Sequence, residues 1–305
     1  MIDTAYFRQA TLLLRILPLI QGEKTFALKG GTAINFFIRD LPRLSIDIDL
    51  VYLPINERNT ALGDISRSLM HVSRKIEHII PGSKTVLKKM RNTEFYKGMV
   101  VRNKDATVKI EPNFVIRGSI FETDKRALCQ KAQKIFKMEL DAQILSKEEL
   151  YAGKLCAALD RQHPRDIFDI HILCQHEGIT EKTRKAFIVY LISHPRPIVE
   201  LLNPRIQDIR KLYENEFYGM VNLVIDCDDL IETQKQLAPM LVDALTDEEK
   251  QFIVSVKAGV PEWDLLGLKG IEDMPAVRWK LYNISRMDKH KLKLAQKKLH
   301  EFLEL

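Results

Sequence analysis

At 305 residues, 46% of them hydrophobic and 29% charged, the chain has the make-up of an ordinary globular protein with length enough for two domains. No apolar run reaches the roughly 18 residues of a membrane span, so a membrane-spanning helix is excluded. The formal net charge of +6 leans toward a polyanionic partner without specifying one.

Residues 1–22 read as an amphipathic helix. Its apolar clusters (Leu12 to Leu14, Ile16, Leu17, Leu19, Ile20) are interrupted by Arg8 and Arg15, and no small-residue cleavage site follows, so it is not a signal peptide. Thr25 to Leu28 is a short strand, and Thr32 to Ile38 a helix begun at a Gly-Gly turn. Ser45 to Leu53 is a strand bounded by Pro42 and Pro54. Leu62, Ile65, Leu69, Val72 and Ile76 recur at spacings of three or four and predict a long helix over 57–80. Three strands follow: Ser83 to Met90, Tyr96 to Arg102 and Ala106 to Ile116, with Gly82, Gly98 and the polar run 102–105 as turn signals. This order predicts a mixed sheet with helices.

From Ser146 onward the pattern is helical. Ser146-Lys147-Glu148-Glu149 and Thr246-Asp247-Glu248-Glu249 match capping boxes. The first opens a helix to about Arg161, and Pro164 opens the next, through Leu173. The expected division is an α+β domain over 1–176 and a helical domain over 177–305. The four cysteines (Cys129, Cys156, Cys174, Cys227) include no C-x-x-C pair and suit a reducing cytosol, which predicts a cytoplasmic protein.

The stretch from Lys29 to Val51, KGGTAINFFIRDLPRLSIDIDLV, carries the most chemistry. Alternate residues of a strand share a face, so Asp47 and Asp49 point one way and Ile46, Ile48 and Leu50 the other. Two carboxylates about 7 Å apart on one face repel unless a cation lies between them. Mg²⁺ is held by such carboxylates together with substrate phosphates, and paired ions serve displacement at phosphorus. A strand end with two solvated acids is the competing reading. Gly30 and Gly31 permit close backbone approach to a ligand, and amides at a helix start bind phosphate. Thr32 is placed either to cap that helix or to donate its hydroxyl to a phosphate.

In Thr107-Val108-Lys109-Ile110-Glu111 the alternation puts Lys109 and Glu111 on one face, making Glu111 a candidate third acid. Lys154 and Arg161 are seven residues apart, on one helix face. Arg165, Asp166 and Asp169 follow. Lys154 is suited to neutralise a triphosphate. The aspartates are suited either to a site or to ion pairs that lock two helices. Lys84 to Lys104 holds seven basic residues and one acid, with Phe95 and Tyr96 among them. Lys88, Lys89, Arg91 and Lys97 are the candidate contacts to an RNA backbone, and the aromatics suit stacked bases. Because this hairpin separates the two acidic strands in sequence, it is expected to border the site. Arg286 to Lys298 holds six basic residues and one acid, a second candidate for RNA contact, with Leu292, Leu299 and Phe302 as its core side. Asp226-Cys227-Asp228 lacks a Gly-Gly turn and reads as a loop or helix start. His163 and His171 read as structural, and Trp263 and Trp279 as packing residues.

Taken together, KGGTAINFF, RLSIDIDLVY, VKIEPNF and EELYAGKLCAALDRQHPRDIFDIHIL resemble the AbiEii/AbiGii nucleotidyltransferase toxins, relatives of the MenT toxins in the DNA polymerase β-like superfamily. They cover roughly residues 24–176. The first two blocks mark the superfamily, and the last is the family-specific one. The resemblance implies an α+β fold, with a polymerase β-like mixed sheet, flanking helices and a mainly helical C-terminal domain. It implies Mg²⁺, two ions by superfamily precedent, and a nucleoside triphosphate (NTP) as nucleotide donor. It also implies a type IV toxin–antitoxin or abortive-infection role with a cognate antitoxin. Relatives add nucleotides to the acceptor end of tRNA and stop translation. Carried over, Thr32 is the phosphate-turn hydroxyl, Asp47 and Asp49 are metal ligands, and Glu111 is the third acid, while Lys154 and Asp166 or Asp169 match the later essential positions. The competing functions are nucleotidyl transfer to a small molecule or protein, a kinase-like use of the site, and nucleotide sensing without catalysis.

Overall fold

The computed structural model describes residues 4–221 and 225–305. They pack as two compact units, Met1–Leu150 with Glu216–Val224, and Tyr151–Asn215 with Ile225–Leu305. The division expected at 176–177 falls inside the second unit. Residues 1–3 of the expected N-terminal helix lie outside the described residues.

In the first unit α1 (Ala5–Gln21) starts at Thr4, whose hydroxyl accepts the Phe7 amide, and buries Leu13, Leu14, Ile16, Leu17 and Ile20. β1 (Phe26–Lys29) leads into α2 (Gly30–Ala33), which continues as one π-helical turn over Ile34–Ile38. β2 (Asp47–Tyr52) follows, then α3 (Arg58–Ile79), whose buried Leu62, Ile65, Leu69, Val72 and Ile76 are the predicted stripe. Next come β3 (Lys84–Lys89), β4 (Tyr96–Arg102) and β5 (Thr107–Asn113). β6 (Asp124–Ala127), α4 (Gln130–Phe136) and β7 (Asp141–Ile144) were not foreseen. β6 is an edge strand of sequence DKRA whose last three residues are exposed. It shows none of the apolar alternation that marks a strand in sequence.

The seven strands form one mixed sheet in the order β3-β4-β5-β2-β1-β7-β6. β2 runs parallel to β5 on one side and antiparallel to β1 on the other. The hairpin β3–β4 lies outside β5. It separates the acidic strands in sequence but not in space, because a parallel pair cannot be joined by a tight turn and needs a long crossover. α3 packs on β3 and β4, and α1 on β5 and β7. One sheet face is apolar: Ile48, Leu50, Val101, Val108 and Ile110 are at most 1% exposed.

α5 (Lys147–Arg161) begins at Ser146, whose hydroxyl accepts the Glu149 amide at 3.2 Å. The Glu149 carboxylate accepts the Ile120 amide at 2.9 Å and so ties the preceding loop. The second unit is helical throughout its described length apart from turns. It holds α6 (Pro164–His176), α7 (Glu181–Ser193), α8 (Ile198–Leu202), α9 (Arg210–Glu216), α10 (Cys227–Asp243), α11 (Asp247–Ala258), α12 (Pro275–Ser285) and α13 (Lys289–Phe302). Thr246 and Glu249 form the expected reciprocal cap of α11. Asp226 is the N-cap of α10, so the second D-x-D is a helix start. No described helix is long and apolar enough to cross a membrane.

Ile110 is fully buried beneath the acidic face of β5. Ile110→Ala is expected to cost about 2–5 kcal/mol through lost apolar burial and the cavity left behind. The check is a denaturant titration followed by far-ultraviolet circular dichroism. A loss below about 1 kcal/mol would contradict a well-packed central strand.

Candidate active site

The carboxylates come together through strand register. Asp49 is the partner of Glu111 across the parallel β2–β5 pair, and of Lys29 across the antiparallel β1–β2 pair. Asp47 is the partner of Lys109. Directly opposed residues share a face, and neighbouring strands are about 5 Å apart. Asp47, Asp49, Glu111, Lys29 and Lys109 therefore occupy one face, opposite the apolar one. Lys109 and Glu111 are exposed, while Asp47 and Asp49 are half-buried.

The same row extends to the hairpin. Gly98 follows β5 one position beyond the Met99–Ile110 pair, and a Cβ built on it would lie 3.8 Å from the Glu111 Cα. Lys88 is the register partner of Gly98. The row is thus Lys88, Gly98, Glu111, Asp49, Lys29, with no side chain between Lys88 and Glu111. Lys89, Arg91 and Lys97 are exposed around the same hairpin. Phe95 and Tyr96 are only half-exposed, and the Tyr96 amide donates to Ser66 Oγ of α3 at 2.9 Å.

The Gly-Gly turn lies against Asp49. Gly30 has φ +70, and a Cβ there would be 2.4 Å from Asp49 Oδ2. That backbone is one L side chains rarely adopt, and the carboxylate already fills the place of the side chain. Gly31 is excluded from bearing a side chain by Arg43, whose Nη2 would be 2.6 Å from its Cβ. Thr32 is 1% exposed. Its hydroxyl donates to the Asp47 carbonyl at 2.6 Å and lies 2.9 Å from Ser45 Oγ. The one Thr32 proton is shared between the Asp47 carbonyl, the shorter contact, and Ser45 Oγ. Thr32 therefore joins the turn to the start of β2, and neither capping nor phosphate donation describes this bond.

Sequence reasoning passed over Lys29, Arg43 and Ser45, although all three lie inside the quoted blocks. Arg43 is 2% exposed, and its Nη1 donates to the Leu44 carbonyl at 2.8 Å. An arginine four residues before the D-x-D, next to a proline, is the signal that was available. Among the described residues no three acids, histidines or cysteines converge as a ready-made metal cluster. Asp47, Asp49 and Glu111 share a face through strand register.

The later residues belong to the second unit. Lys154 is buried, with Nζ 2.7 Å from Asp166 Oδ1 and 3.0 Å from Asp169 Oδ2. Arg161 reaches the other Asp166 oxygen, and Arg165 lies half-buried in the first turn of α6. Burial alone would raise the Asp166 carboxyl, but the charge of Lys154 and the bonds and charge of Arg161 outweigh it and hold it well below the usual carboxylate range. Here the aspartates take up the Lys154 charge and clamp α5 to α6, the ion-pair alternative that the spacing left open. The His163 ring accepts the Arg165 amide as the α6 N-cap, and His171 Nδ1 lies 2.8 Å from Thr233 Oγ1.

Removing Lys154 would strand two buried carboxylates. Lys154→Met is expected to destabilise the second unit by about 3–5 kcal/mol near neutral pH. A depressed carboxyl stabilises above its unfolded pKa of about 3.9, and that contribution drains away as pH falls toward the folded value. The gap between wild type and variant should therefore narrow below about pH 4. Trp263 and Trp279 both lie in this unit, so their fluorescence in urea titrations near neutral pH and in acid reads the difference directly. A gap that stays constant into acid would contradict the clamp.

The comparisons with known proteins agree with this architecture. Residues 11–281 match the family model of the nucleotidyl transferase AbiEii toxin of type IV toxin–antitoxin systems. The fold is similar to that of the nucleotidyltransferase toxin MenT4 of Mycobacterium tuberculosis, with a TM-score of 0.60 over 97% of this chain and 95% of that one, at 13% identity. No curated protein matches the sequence significantly. The turn, the acidic strands and a family match covering most of the chain lead to one assignment: this chain belongs to the AbiEii family of nucleotidyltransferase toxins.

Proposed function

We propose that this nucleotidyltransferase requires Mg²⁺ and transfers a nucleoside monophosphate from an NTP to an RNA hydroxyl, the 3′ acceptor end of tRNA, so that translation stops. The observation that carries the reading is the register row, in which Asp49 lies beside Glu111 on one strand and against the Gly30 turn on the other. A carboxylate pair next to a side-chain-free turn is what a metal-bound triphosphate needs. The family's toxin–antitoxin setting implies a cognate antitoxin.

The donor set fits the ion. All three candidate ligands are carboxylate oxygens, and Mg²⁺ is usually held by one or two carboxylates, with water and substrate phosphates completing the shell. Asp47, Asp49 and Glu111 would hold it, and it would neutralise charge that develops on the transferring phosphate. The rest is the work of this chain's own groups. The Gly30–Gly31 turn brings backbone amides to the β- and γ-phosphates. Lys29 and Lys109, on the same face, add positive charge beside them. The acceptor oxygen forms a bond to the α-phosphorus, its proton passes to the Glu111 carboxylate, and the bond to the β-phosphate oxygen breaks to release pyrophosphate. Lys88, across the side-chain-free Gly98 from Glu111, lies where an acceptor backbone would approach.

The test uses the full chain with Mg²⁺, each α-labelled NTP in turn and total tRNA. Label is expected on RNA, and Asp49→Ala is expected to abolish it. RNA left unlabelled by every NTP would sink the RNA acceptor. Label transferred from the γ-position instead would make the enzyme a kinase.

Gly30→Ala forces a Cβ onto Asp49 Oδ2 and strains a positive-φ backbone. Its transfer rate is expected to fall about 100-fold, the scale associated with misplacing a reacting group by 1 Å. Thermal unfolding should show that the fold survives. An unchanged rate would mean that the contact between turn and carboxylate is not used in catalysis.

A further inference from the structure

Sequence reasoning assigned Trp279 to packing, but its side chain is 60% exposed. The orientation of α12 makes this exposure deliberate. Ala276, Val277 and Ile284 are buried on its inner face. Lys280 is drawn in as well, with Nζ donating to the carbonyls of His194 at 2.5 Å and Arg196 at 3.1 Å. Burial, and next the nearby Lys257, push the Lys280 ammonium down to about 8, a cost that a helix free to rotate would avoid.

The outer face therefore carries Trp279, Tyr282 and Arg286 at spacings of three and four. Trp279 and Tyr282 stack with ring centroids 5.6 Å apart at 24°. Arg286 lies 5.5 Å from the Tyr282 ring centroid and donates to its hydroxyl at 2.7 Å. After the Met287–Asp288 turn, α13 presents Lys289, Lys293 and Lys297, four residues apart and so on one helix face, all exposed. Asp288, the N-cap of α13, accepts the Lys291 amide at 3.0 Å, and Glu301 pairs with Lys297 at 3.6 Å.

We propose that this face of α12 and α13 is a binding surface for unpaired RNA, where bases stack on Trp279 and Tyr282 and the backbone runs along the α13 lysines. Exposed stacked rings cost apolar hydration unless something covers them, and base stacking covers them without sequence preference. A protein partner would be served by the rings but gains less from the exposed lysines of α13, whereas a phosphate backbone uses both. The proposal deepens the RNA-acceptor reading and rests on it for the partner class, but its residues take no part in the chemistry.

Trp263→Phe leaves Trp279 as the single tryptophan reporter in the full chain. Titration with an unstructured single-stranded RNA should quench Trp279 saturably, and quenching should fall as salt rises. Trp279→Ala and Tyr282→Ala, read by polarisation of labelled RNA, should each weaken binding at least about fivefold. Lys289→Glu with Lys293→Glu should flatten the salt dependence. RNA binding that neither quenches Trp279 nor responds to these variants would overturn the surface. So would quenching that depends only on protein concentration, which would mark an interface between copies, or a complete lack of RNA binding. The Asp49→Ala protein separates the two readings. If it quenches like wild type while wild type transfers no label, the RNA-transfer reading fails and the surface stands. If wild type labels RNA without any quenching, the surface fails and the enzyme reading stands.

Discussion

The parallel pairing of β2 with β5 is the constraint on which the site depends. Asp47 and Asp49 share a face on any strand, but only this register sets Glu111 beside Asp49. A one-residue slip would turn Glu111 into the core and expose Ile110. The apolar faces forbid that slip, because Ile48 and Ile110 are register partners and both are fully buried. The hydrophobic effect thus fixes the geometry of charged groups that would otherwise drive their strands apart. The parallel sense also dictates the crossover through α3 and the basic hairpin, which is how β3 and β4 come to lie outside β5.

The second unit solves a different electrostatic problem. Lys154, Asp166 and Asp169 are all buried, so each has lost its hydration. Such groups are tolerated when paired in good geometry, and removing one partner costs far more than the intact set contributes. The cluster is therefore weak evidence for stability and stronger evidence for specificity. It fixes the rotation of α5 against α6, since only one pairing brings both aspartates to one ammonium. A P-R-D-x-x-D pattern that pairs charges looks, in sequence, the same as one that serves catalysis. That ambiguity is why Lys154 was readable as a phosphate cation.

Much of the first unit was readable because its signals are local and redundant. Gly30 with Gly31 signals a turn, D-x-D with alternating isoleucines a two-faced strand, and Val108-Lys109-Ile110-Glu111 another. β6, α4 and β7 were missed because four-residue strands and a seven-residue helix offer too few periods to detect. The hairpin's place outside β5 was not legible for a general reason: sequence order gives neighbours along the chain, and sheet order is a tertiary property. Trp279 was misread because a tryptophan at helical spacing is usually core, and only the inward bonds of Lys280 reveal which way α12 faces.

The acidic face also shows how a self-repelling arrangement is held. Several of its supports act on the backbone or stand behind it. Thr32 bonds the Asp47 carbonyl, not its carboxylate, and so positions the strand without neutralising the acids. Arg43 stands behind Gly31, its guanidinium donating to the Leu44 carbonyl. The chain leaves the first unit after Leu150 and returns to it at Glu216–Val224. There the Met220 carbonyl accepts the Leu44 amide at 2.7 Å, and Val221 bridges Arg43. A site meant to bind a cation gains from a backbone held from several directions. The returning segment supplies part of that support to Arg43 and Leu44, just ahead of β2. The integrity of the acidic strands therefore depends on residues more than 170 positions downstream, in a stretch that carries no motif of its own.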